Sequence, residues 1–168
     1  MPQLLLYGFG LMIGLWAFVS DLRTRKIPNP LVMVGMMVVV LLQILLTAYQ
    51  GQMLLPLLGQ LLGGMAVPMF LFPLFMIRAL GAGDIKLMMV LGLILGPKAT
   101  FWVLLYSLIF GGLLALAVFA RHLGWRGLWG LFLTAGKGLR QYPQMQQTFP
   151  YSGAIVAGYA WVLYSQLL

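Results

Sequence analysis

Gly81-Ala82-Gly83-Asp84-Ile85-Lys86-Leu87 sets two glycines, a carboxylate and an ammonium between two strongly apolar segments. Ionisable side chains are expensive inside a bilayer unless they face a partner or water. The expense is telling here, because the 168 residues hold only two acids, Asp84 and Asp21, the latter at the end of the first apolar run. Architecture and chemistry both turn on those two carboxylates.

Hydrophobic residues make up 62% of the chain and charged residues 7%, against about 45–50% and about 25% in soluble domains. That balance excludes a soluble globular domain and predicts an integral membrane protein. A net charge of +8 suggests nucleic acid in a soluble protein. Here the cations fall in short gaps between apolar runs, where they orient helices and meet anionic membrane lipids, so no nucleic-acid partner is expected. The chain has no cysteine, which removes disulfides, thiol nucleophiles and cysteine-based zinc sites. Neither a metal nor any other cofactor is expected. Met1 to Val19 shows no basic stretch ahead of its apolar run and no small-x-small cleavage site, and reads as a retained span. A single membrane domain is expected over residues 1–168.

Outward from the central stretch, only eleven residues, Leu87 to Pro97, separate Lys86 from Lys98, far fewer than the roughly 20 that cross a bilayer. A full crossing therefore starts near Ala79, after Arg78, and contains Asp84 and Lys86. At about 1.5 Å of rise per residue, Asp84 lies on the order of 9 Å inward of Arg78. Upstream, the first span runs from Leu4 to about Ser20. Asp21 follows, then a basic loop from Leu22 to Pro30 in which Pro28 and Pro30 forbid a continuous helix. The second span is Leu31 to about Tyr49. The third, about Met53 to Ile77, carries Pro56, Pro68, Pro73 and the pair Gly63-Gly64, which predict kinks and close helix contact. Downstream lie a fifth span from Ala99 to about Ala120 and a last one from about Phe149 to Leu168. Between them, Gly127 to Gly136 is too short to span and fits a helix lying in the interface. The expected fold is all-α, a polytopic membrane protein of six transmembrane helices with a kinked third helix and a short fourth entered through a Gly-rich segment.

Nine of the ten Lys and Arg follow spans one, three and five, and only Lys98 lies on the other side. By the positive-inside rule the basic side is cytoplasmic. Asp21 and Asp84 share that side, at similar depth and from two different helices. Two carboxylates held close in a poorly solvated site share one proton, so the ionised one can take a proton from a water while the protonated one donates to a carbonyl oxygen. No other nucleophile with a base is available, since the sole histidine, His122, stands among arginines past the fifth span. Gly81 and Gly83 lack a β-carbon and let the helix entrance unwind so that an extended substrate backbone approaches Asp84. Blander roles exist for each residue: Asp21 pairing with Arg23 or Arg25 at a helix end, Asp84 capping the fourth helix, and Lys86 snorkelling to the surface.

Gly81 to Leu87, together with Asp21-Leu22-Arg23 leading into Ile27-Pro28-Asn29, resembles the type IV prepilin peptidase family, the GxGD aspartic proteases of membranes. Phe149-Pro150-Tyr151-Ser152-Gly153-Ala154-Ile155 is similar to that family's proline-containing stretch opening the last helix, with a looser match at Ser152-Gly153. The resemblance implies an endopeptidase in the bacterial inner (cytoplasmic) membrane that removes the leader of prepilin or pseudopilin precursors at the cytoplasmic face. Asp21 and Asp84 are then the catalytic pair, Gly81 and Gly83 shape the site, and Lys86, Arg23, Pro28 and Asn29 support it. Larger members of the family carry a cysteine-containing region and methylate the new N-terminus, so this chain is expected to lack methyltransferase activity. The compact form resembles the peptidases of tight-adherence (Flp) pilus systems.

Three other classes use the same features. A proton- or cation-coupled transporter can use buried acids as a relay, though no internal repeat accompanies them. A presenilin-like or signal-peptide-peptidase-like protease shares the Gly-x-Gly-Asp element but places its first aspartate after a tyrosine, where this chain has Ser20. The third is a noncatalytic assembly subunit.

Overall fold

The computed structural model describes residues 2–24, 27–51, 55–76, 80–133 and 151–167, without the side chains of Pro2, Leu55, residues 118–120 and 122–133, and Leu167. Arg25, Lys26, Arg78, Lys137, Arg140 and Pro150 lie outside the described residues, as do the side chains of His122 and Arg126. The described chain is all-helical: α1 (Pro2–Thr24), α2 (Asn29–Tyr49), α3 (Leu55–Met76), α4 (Ala82–Leu133) and α5 (Tyr151–Leu167). Four of these contain stretches long and apolar enough to cross a membrane, namely Gln3–Thr24, Asn29–Tyr49, Pro56–Met76 and Ala82–Ala117. Five helices stand where six were expected, because the fourth and fifth expected spans belong to one continuous element, α4.

That element is folded on itself. Gly96 has a φ of +76°, a left-handed conformation that interrupts a right-handed helix. Thr100 Oγ1 also donates to Gly92 O at 3.4 Å across eight residues, which a straight helix would hold about 12 Å apart. Neighbours on the two limbs show how far the chain turns. A Cβ on Gly10 of α1 would meet Ile94 of the first limb and Tyr159 of α5, whereas Asp21, near the other end of α1, meets Ser152 of α5. The first limb and α5 thus both run antiparallel to α1. On the second limb Gly111 packs against Tyr151, and Gly158 packs against Val103 and Ser107, so this limb runs antiparallel to α5 and to the first limb.

Pro97 explains where the fold occurs and what it requires. Having no N–H, it leaves the carbonyl of Leu93 without its helical partner. A freed carbonyl in an apolar interior must be satisfied by a neighbour, and Gln43 Nε2 of α2 donates to Leu93 O at 3.1 Å. Thr100 Oγ1 bonds Gly96 O at 2.5 Å. Both side chains are buried. Gln43→Leu is therefore expected to cost about 1–2 kcal/mol, the penalty of an orphaned buried acceptor, read as an earlier unfolding midpoint in a detergent titration.

The folded limbs are held against α3 by glycine. A Cβ on Gly63 would lie 2.6 Å from the carbonyl carbon of Gly96 and 2.7 Å from Gly92 O. Gly92 and Gly96 sit one turn apart, the spacing at which membrane helices pack backbone to backbone. Pro68 and Pro73 lie inside α3, which remains a single helix across both.

Element ends differ from expectation in three places. α1 continues through Asp21 to Thr24, because nothing in Leu22-Arg23-Thr24 breaks a helix, and Thr24 Oγ1 bonds back to Ser20 O at 2.9 Å. Pro28 and Pro30 instead open α2: Pro28 is its N-cap, in extended conformation, and Pro30 falls in the first turn, where a missing N–H costs nothing. α2 ends at Tyr49 with Gln50 as its C-cap, and Gly51 just beyond, at a φ of +60°, takes the left-handed conformation that glycine adopts freely. The patch starting at Gly127 is no separate interfacial helix over its described part, since α4 runs unbroken to Leu133.

Candidate active site

The antiparallel order of α1, α5 and the first limb of α4 brings the end of α1, the start of α5 and the start of α4 to one end of the bundle. Both acids of the chain lie there. Asp21 is in the last turn of α1 and half-buried. Its Oδ2 accepts a 2.5 Å hydrogen bond from the Ser152 hydroxyl, whose side chain is fully buried in the first turn of α5. Gly153 beside it leaves room for the ring of Phe18, whose Cδ2 stands 3.2 Å from where a Cβ would be.

Asp84 is the third residue of α4, with Gly81 as its N-cap. The Gly81 carbonyl accepts from Asp84 N at 3.2 Å and Ile85 N at 3.4 Å. In return Asp84 Oδ2 accepts from Gly81 N at 3.2 Å, the carboxylate half of a capping box. Asp84 therefore does cap the helix, and capping aims its carboxyl toward the bundle end that Asp21 also occupies. The two acids stand within electrostatic reach of each other. Tyr151 is within reach of Asp84 as well.

The supporting residues divide. Lys86 Nζ donates to Asn29 Oδ1 at 3.0 Å, tying the fifth residue of α4 to the first residue of α2. Gly83 is already helical, so the helix entrance is not unwound there; its missing Cβ admits Ile27, whose own Cβ would stand 3.0 Å away. Pro28 is exposed and fixes the start of α2. Arg23 is exposed and, among the described residues, no Lys or Arg is ion-paired with Asp21 or Asp84, which removes the Asp21–Arg23 helix-end pair as an explanation.

A model of the type IV leader peptidase family matches residues 8–116. The chain belongs to that family. No curated protein and no solved structure matches it. The type IV leader peptidase match covers Asp21, Asn29, Gly81, Gly83, Asp84 and Lys86, and ends before Tyr151 and Ser152. Ser152 is the residue that reading the sequence left in doubt. A signal was present: a small hydroxyl in the first turn of the last helix, at the membrane end that also carries both acids.

Lys86→Met and Asn29→Ala each remove the same 3.0 Å bond. Each is expected to slow peptide cleavage about three- to tenfold, and the double variant to be no slower than either single one, measured as initial rates on one substrate.

Proposed function

We propose that this type IV leader peptidase is an aspartic endopeptidase of the bacterial inner membrane that removes the leader of type IV prepilin-like precursors at the cytoplasmic face. The observation that carries this reading is that the chain's only two acids, from helices distant in sequence, stand at one bundle end within electrostatic reach of each other. One carboxyl group is ionised and the other protonated. The ionised group takes a proton as water attacks the scissile carbonyl carbon, while the protonated group gives its proton to the carbonyl oxygen. The resulting gem-diol collapses with cleavage of the C–N bond. The first carboxyl passes its proton to the leaving nitrogen, and a gem-diol hydroxyl returns one to the second, restoring the starting states. The substrate binds with extended backbone, because a helical peptide buries its carbonyls in its own hydrogen bonds. The 168 residues contain no cysteine, and the proposal includes no methyl transfer. The compact, Flp-type pilus systems are the expected setting.

The test is purified protein in detergent with a prepilin peptide spanning the leader junction, the products weighed by mass spectrometry. Two fragments whose masses sum to the peptide plus one water support the reading. An intact peptide, together with proton flux in vesicles that disappears in Asp21→Asn and Asp84→Asn, would replace it with the relay transporter.

A further inference from the structure

The Ser152–Asp21 hydrogen bond is unusual for this chain. It joins residues 131 positions apart, it is made by a side chain with no solvent exposure, and it is short, at 2.5 Å. Elsewhere along α5, Ser165 Oγ donates to Val162 O of its own helix and Tyr159 Oη donates to Tyr7 O of α1, both backbone carbonyls. Ser152 donates its proton to an acid instead.

The two acids are held in matching fashion. Asp84 Oδ2 accepts from Gly81 N and Asp21 Oδ2 accepts from Ser152 Oγ. An oxygen that accepts such a bond is not the oxygen that receives a proton in the same direction. On the peptidase reading above, on which this inference rests, these bonds leave Oδ1 of each aspartate as the oxygen they do not engage.

We propose that Ser152 is a positioning residue, which engages Asp21 Oδ2 and so fixes the carboxyl rotation that turns Oδ1 toward Asp84 and the attacking water. Backbone supplies this restraint at Asp84. At Asp21 a side chain from a neighbouring helix, Ser152 of α5, supplies it. The restraint acts on the geometry of the reacting groups and leaves substrate binding alone. It therefore belongs in kcat and not in KM.

The test has a spectroscopic arm and a kinetic arm. With 13C-carboxyl aspartate introduced by cell-free synthesis, the Asp84→Asn chain carries one labelled side-chain carboxyl, Asp21, because the sequence holds no other acid. Adding Ser152→Ala is expected to shift the Asp21 carboxylate stretching band in the infrared, and Ser152→Thr, which keeps the hydroxyl, to leave it in place. In the chain with both aspartates, Ser152→Ala is expected to lower kcat about tenfold at unchanged KM, with Ser152→Thr retaining most of it. An unmoved band overturns the inference, and so does a moved band with unchanged kcat or a loss that lies in KM. Loss of activity in Asp21→Asn with none in Ser152→Ala sinks this inference alone. Full activity in Asp21→Asn sinks the peptidase reading instead.

Discussion

Asp84→Asn and Asp21→Asn are each expected to lower kcat for leader removal roughly ten-thousand-fold with KM little changed, the scale on which acid–base groups act. Asparagine is nearly isosteric with aspartate, and its amide oxygen still accepts the Gly81 N–H at position 84 or the Ser152 hydroxyl at position 21. The helix start and the α1–α5 contact therefore survive, and the loss is chemical. The double variant is expected to be no slower than either single one, because the two groups act as a unit and removing one already ends the proton exchange. Single-turnover mass spectrometry of a junction peptide, with far-UV circular dichroism as the folding control, reads this directly. Wild-type rates in either variant would remove that aspartate from the reaction.

The second large effect concerns packing. Gly63→Ala places a methyl group 2.6 Å from the Gly96 carbonyl carbon and 2.8 Å from its Cα. Backbone has no rotamer by which to escape. α3 must move off the α4 fold, loosening the contact with Gly92 and the turn at Pro97. The expected cost is about 3 kcal/mol, at the upper end for overpacking. Gly59, one turn earlier on α3, has open space at its Cβ position, so Gly59→Ala is expected to be neutral or slightly stabilising, since alanine is the better helix former. The two variants compared in a detergent unfolding titration, followed by tryptophan fluorescence, separate the clash from any general effect of adding a methyl group. Equal midpoints would show that α3 and α4 do not meet at Gly63.

Much of this was legible in the residues. Apolar runs and their bounding charges marked the helices, and the scarcity of acids singled out Asp21 and Asp84. The eleven residues between Lys86 and Lys98 exposed the short first limb of α4. What stayed hidden depends on contacts between distant segments. Ser152 gains its meaning only once α5 is known to lie antiparallel to α1. Gln43 reads as one polar residue in a greasy helix until Pro97 is seen to free Leu93 O on its neighbour. Gly83 was assigned to unwinding, whereas α4 is already helical there and the glycine makes room for Ile27. Helix ends misled as well, because the prolines of the first loop open α2 rather than end α1.

The fold at Gly96 has a mechanical consequence for the surrounding lipid. Residues 82–95 rise only about 21 Å at 1.5 Å per residue, while a bilayer's hydrocarbon core is about 30 Å thick. The first limb alone is thus about 9 Å shorter than that core, a mismatch of the kind that local thinning of the bilayer or snorkelling of a flanking residue such as Lys98 relieves. Thinned lipid admits water and headgroups nearer to the midplane. On the proposed peptidase reading, lipids of longer acyl chain are therefore expected to slow cleavage without touching a catalytic atom.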